Sequence, residues 1–206
     1  MTKRSRAVHD SSAYLLHATP WRETSLIAQV FSRDHGCVAM VAKGAKRPYS
    51  TLRPVLGAFQ PLALSWTGAG EVKTLTRAEV AGIRALTGAA LMSGWYMNEL
   101  LLRFLPREDP HPLLFDAYDA ALIQLGADGR AAGVRAAGAL RRFEWVLLRE
   151  SGYGMPGREP DFADPTIEPE LRMQLRQKLN EQLTGRPLST RRVLLEFQRQ
   201  FVERRG

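Results

Sequence analysis

The sequence predicts an α+β protein, with a small β-barrel in its first part and an all-α second part. Short runs dense in β-branched and aromatic residues recur as far as Val80, and beyond Gly82 the apolar residues switch to helical spacing. The charge changes at the same place: there are 12 Lys plus Arg against 5 Asp plus Glu through Arg84, and 17 against 16 from Ala85 onward.

Five runs carry the strand signal in order: "AYLLHA", "SLIAQVFSR", "CVAMVAK", "FQPLALSWT" and "VKTLTRAEV". In the second, Leu26, Ala28 and Val30 alternate with Ile27, Gln29 and Phe31; in the third, Val38, Met40 and Ala42 alternate with Cys37, Ala39 and Val41. Both faces are largely apolar, as in a strongly curved barrel with a neighbour packed outside it. "RDHG" and "TGAGE" supply hairpin turns, with Gly36, Gly68 and Gly70 suited to positive φ. Five such strands in about seventy residues with a basic excess point to a five-stranded OB-fold barrel, with an SH3-like barrel as the nearest competitor. Residues 1–11 read as a basic flexible tail, 12–82 as the barrel and 83–206 as the helical domain.

The helices follow in turn. Met92, Tyr96, Leu100 and Phe104 form one stripe, and Leu114, Tyr118, Ala121, Leu122 and Leu125 another, with Pro106, Pro110 and Pro112 between them. A third helix runs roughly from Arg130 to Ser151 and stops at Gly152. After a Pro-rich loop over 153–167, "EPELRMQLRQKLNEQL" and "STRRVLLEFQRQFVERR" predict two more, with Gly185 ending the first and Ser189 capping the second.

Composition excludes several classes. The chain has 206 residues, 45% of them apolar, with a net charge of +8 that favours anionic partners. Its lone cysteine, Cys37, allows no intramolecular disulfide and suits the cytoplasm, and the basic N-terminus leads into no apolar run of the kind that targets or spans a membrane. The four histidines lie in unrelated contexts, no carboxylates cluster at ligand spacing, and there is no P-loop. Gly152, Gly154 and Gly157 match the G-x-G-x-x-G spacing, but they follow a helix and lead into a Pro-rich loop, where a dinucleotide loop follows a strand. No cofactor and no catalytic residue is expected.

Two constellations remain. The stretch "VAKGAKRPYSTLRP" places Lys43, Lys46, Arg47 and Arg53 in a loop too long for a tight turn, and Arg22, Lys73 and Arg77 lie on or beside strands. Cations at intervals along a groove suit phosphates, and the interleaved Trp21, Tyr49, Phe59 and Trp66 could stack on unpaired bases. The alternative places Phe59 and Trp66 in the core and leaves the cations as a solvated rim. In the third helix, Arg141, Trp145 and Arg149 recur every fourth residue beside a stripe of Leu140, Phe143 and Leu147. With Arg142 adding charge, two arginines flanking an exposed indole would receive a peptide ending in an aromatic residue and a carboxylate. Alternatively, Trp145 packs against a neighbouring helix.

Four segments carry a resemblance: "AYLLHATPWRETSLIAQVFSRDHGCVAMVAKGAKRPYSTLRPVLGAFQPL", "YMNELLLRFLPREDPHPLLFDAYDAAL", "RRFEWVLLRESGYG" and "GRPLSTRRVL". In these motifs and their order, over most of residues 12–197, the chain resembles the bacterial RecO family of recombination mediators. The resemblance implies binding of single- and double-stranded DNA, annealing of complementary strands, and work with RecR to load RecA onto DNA covered by single-stranded DNA-binding protein. It further implies contact with that protein's acidic C-terminal tail, and it carries the DNA-contacting loop over to Lys43, Lys46 and Arg47. Many members have a further segment after the "GYG" position, in some with four zinc-binding cysteines. Here only "MPGREPDFADPTI" stands before the next helix, so zinc is not expected. The competing function is a protein-interaction adaptor whose barrel is only a platform.

Overall fold

The computed structural model describes residues 7–127, 132–183 and 188–190. Five strands, β1 (Val8–Trp21), β2 (Ser25–Ser32), β3 (Gly36–Ala42), β4 (Pro61–Thr67) and β5 (Val72–Val80), close into a barrel in the order β1-β2-β3-β5-β4. A four-residue helix, α1 (Leu52–Val55), lies between β3 and β4. The β3–β5 pair is parallel and the rest are antiparallel, so the architecture is the OB-fold-like one the sequence predicts. β1 begins at Val8, before the first predicted strand residue, because Val8 pairs with Trp66 and Ser11 with Leu64 on β4.

Alternation builds the barrel core. Ala28 and Val30 from β2, Val38, Met40 and Ala42 from β3, Leu62, Leu64 and Trp66 from β4 and Leu75 from β5 form one buried cluster. The outer face is also covered: Phe31 and Tyr14 are 0% and 1% exposed. Their cover comes from later in the chain, since residues 105–116 cluster with 7–85 in one compact unit. Phe115 lies 5.6 Å from Tyr14 and 5.4 Å from Phe31 between ring centroids, and Arg33 donates two hydrogen bonds to the Asp116 carboxylate, at 2.9 and 3.0 Å.

The described residues of the second unit are 86–104, 117–127, 132–183 and 188–190. Its elements are α2 (Gly88–Phe104), the part of α3 (Pro112–Leu125) from Ala117, α4 (Ala132–Glu150) and α5 (Glu168–Gln182). Tyr96, Leu100, Tyr118, Leu122, Phe143 and Leu147 fill its core, joined by Leu171, Leu175 and Leu179 from α5. Gly152, at φ +81°, ends α4 as expected: its N–H bonds Arg149 O at 3.1 Å, and Tyr153 N–H bonds Leu148 O at 2.8 Å. Of the last predicted helix, only Ser189 and Thr190 lie within the described residues; the rest of it, with Gly185, lies outside them.

Candidate nucleic-acid interface

The β1–β2 turn and the β3–α1 loop meet at one end of the barrel. Trp21 pairs with Ser25, leaving three residues for the turn, and Arg22 turns the chain at φ +52°. Across β2, Leu26 pairs with Ala42, so the chain leaving β3 at Lys43 starts beside that turn. A hydrogen bond of 2.9 Å from Lys46 N–H to Thr24 O ties the two together.

Local sequence dictates how the loop shows its charge. Gly44 adopts φ +71°, which an L side chain resists, and lets the chain reverse. Ala45 then drops into the barrel core at 1% exposure, and Leu52, Val55 and Leu56 pack against the same core further on. Lys43 before Ala45, and Lys46 and Arg47 between Ala45 and Leu52, are left exposed, as is Arg53 on α1. Among the described residues no carboxylate pairs with Arg22, Lys43, Lys46, Arg47 or Arg53. Ala45 was the signal available in sequence for this display, a single small apolar residue set among cations.

Lys73 does not join them. Its ammonium donates to Gly70 O at 2.8 Å and pairs with Glu108 at 2.8 Å, and the residue is only 8% exposed. Arg77 is likewise engaged, with Asp10 at 3.5 Å and Glu79 at 2.7 Å. The aromatics divide as well: Phe59 and Trp66 are buried in the core, whereas Trp21 and Tyr49 are exposed.

On α4 the expectation of an exposed indole between arginines needs correction. Trp145 is 8% exposed, its ring 6.3 Å from that of Phe162 in the 153–167 loop. Arg141 is buried too, donating through Nη2 to Glu144 at 3.0 Å and pairing with Glu168 at 3.4 Å, while Glu144 also accepts from Tyr96 Oη at 2.7 Å. Arg142 and Arg149 stay at the surface near Glu159, at 3.9 and 3.6 Å. The four residues thus form no single patch. Trp145 instead lines a cavity of about 500 Å³, walled by Met155, Pro156, Pro160 and Leu171, with Arg158 and Lys178 also lining it. The loop over 153–167 made this cavity invisible to helical periodicity.

Among the described residues no group of three His, Cys, Asp or Glu is placed to hold a metal, and no helix is long and apolar enough to cross a membrane.

Residues 7–84 match the family model described as "Recombination protein O N terminal", and 86–158 match "Recombination protein O C terminal". The DNA repair protein RecO of Aromatoleum aromaticum is 43% identical, over 96% of this chain and 99% of that protein. Those of Cupriavidus pinatubonensis and Cupriavidus metallidurans are 59% and 44% identical, over 80% and 93% of this chain and 55% and 78% of theirs. The first alignment spans 244 positions, whereas 96% of 206 residues is about 198, so about 46 positions have no residue here.

Proposed function

The chain belongs to the RecO family of DNA repair proteins, and from that premise we propose that it is a non-enzymatic recombination mediator whose barrel binds DNA through phosphates. One observation carries this: Arg22, Lys43, Lys46 and Arg47 crowd one end of the barrel, and among the described residues none of them is ion-paired to a carboxylate, the neighbouring Glu23 included. Such cations, on binding phosphates, release the counterions condensed along the nucleic-acid backbone, a gain that a cation already paired, such as Lys73, does not supply. In this reading the barrel, residues 12–82, engages single- and double-stranded DNA and promotes annealing of complementary strands. The helical unit, to which 86–104 and the chain from Ala117 onward belong, works with RecR and the single-stranded DNA-binding protein in loading RecA, in the cytoplasm.

The cavity at Trp145 supports a place for the acidic tail of the single-stranded DNA-binding protein. Its apolar walls fit an aromatic side chain and Arg158 fits a carboxylate beside it, while Lys178 is already paired with Glu181, another lining residue, at 3.7 Å. A strand-annealing assay with complementary oligonucleotides, bare and coated with single-stranded DNA-binding protein, tests the whole. Annealing on both is expected. Folded protein that anneals neither would overturn the mediator reading in favour of an adaptor.

A further inference from the structure

We propose, resting on the reading of the barrel end as a DNA-binding surface, that Trp21, with the Arg22 cation over its ring, is a nucleobase platform that makes this end prefer unpaired strands. Three features converge on it. Trp21 is the last residue of β1, fixed opposite Ser25 in the ladder, yet its indole is 44% exposed. The Arg22 guanidinium carbon lies 6.0 Å from the indole centroid, so the ring is backed by a cation. Arg22 reaches that position through a positive φ of 52°, a backbone conformation that L residues seldom adopt and that clusters at ligand sites.

The neighbours identify the ligand class. A flat exposed ring alone would suit many partners, but this one stands in the turn that Lys46 N–H bonds through Thr24 O, beside Lys43, Lys46 and Arg47. Unpaired cations within reach of a π face match a nucleotide, whose base stacks while its phosphates sit on the charges. The other aromatics on the barrel do not offer this: Trp66 and Phe59 are each 2% exposed, and Tyr49 projects from the loop at 99% exposure with no ring or cation contact among the described residues. In a duplex the base faces are already occupied by their neighbours, so the platform serves single strands and the cations serve both forms.

The test compares the full-length protein with Trp21→Ala, Trp21→Phe and the triple variant Lys43→Ala, Lys46→Ala, Arg47→Ala, using labelled oligothymidine and a duplex of equal length. Loss of one stacked base predicts single-strand binding about 5- to 150-fold weaker in Trp21→Ala, with duplex binding within about twofold of the parent and the salt slope unchanged. Trp21→Phe restores most of the affinity and, because its fold is kept, reports independently: the quenching of tryptophan fluorescence by oligothymidine should be lost in it. Equal weakening for single strand and duplex, or unchanged single-strand affinity and quenching, would overturn the platform. Triple-variant binding equal to the parent would instead overturn the underlying reading of the barrel end.

Discussion

Replacing Lys43, Lys46 and Arg47 by alanine removes three exposed cations for which no carboxylate pair exists among the described residues. If each contacts one phosphate of a single strand, each contributes about 0.7 to the slope of log affinity against log salt, so the triple variant loses about 2 from that slope. Between 50 and 200 mM salt the parent should then weaken about 20-fold more than the variant. Fluorescence anisotropy with a labelled oligonucleotide, run at four salt concentrations, measures both slopes, and far-UV circular dichroism checks the fold. The exposed Arg77 is the internal control, because Asp10 and Glu79 already neutralise it and Arg77→Ala should leave the slope where it is. A triple variant with the parent slope, or an Arg77→Ala slope that falls as far as the triple variant's, would refute the assignment of the charge to this loop.

Two further predictions concern the helical unit. A Cβ on Gly138 would come 2.2 Å from Phe162 O, so Gly138→Ala should destabilise by about 1–3 kcal/mol, although the same change in an open helix gains about 1 kcal/mol; a thermal melt that rises would deny the close approach of α4 and its loop. Glu99 accepts from the N–H groups of Ser189 and Thr190 at 2.8 and 2.9 Å and from Thr190 Oγ1 at 2.7 Å. Burial pushes its carboxyl up, but those bonds and Arg103 more than offset this and hold it below the usual carboxylate range. With the folded pKa depressed, the stabilisation is present above the unfolded value of about 4.3 and is lost as pH falls through the folded one. Amide exchange at Ser189 and Thr190 should therefore stay protected from pH 7 to 5 and open only in acid, whereas Glu99→Gln should open it at neutral pH.

The barrel was legible because period-two alternation in "SLIAQVFS" and "CVAMVA" reports directly which residues share a face. The basic loop was legible because glycine, alanine and cations in sequence are enough to build it. Local pattern fails where the deciding partner is remote in sequence. Lys73 resembles the other cations until Glu108 is placed beside it. Residues 141, 145 and 149 do share one side of α4, since steps of four drift by only about 40°. Whether that side is wet depends on Phe162 and Glu168, which follow the helix and lie against it.

The same reasoning accounts for where the barrel keeps its unpaired charge. β2 runs from the turn holding Arg22 to the turn holding Arg33, and its eight residues put those turns roughly 25 Å apart. The apolar outer face of β2 and β3 requires cover, and residues 105–116 supply it, with Phe115 on Phe31 and a hydrogen bond of 3.0 Å from Glu108 N–H to Cys37 O. This segment also brings carboxylates to the Arg33 end: Asp116 holds Arg33, and Glu108 holds Lys73. Arg107, from the same segment, pairs with Glu71 on the β4–β5 connection. Covering the outer face therefore pairs cations at one end of the barrel and leaves Arg22, Lys43, Lys46 and Arg47 at the other without an ion pair among the described residues. Arg22, Lys43, Lys46 and Arg47, separate in sequence, thus share one end of the barrel, while the segment that pairs cations at the other end comes from beyond residue 104.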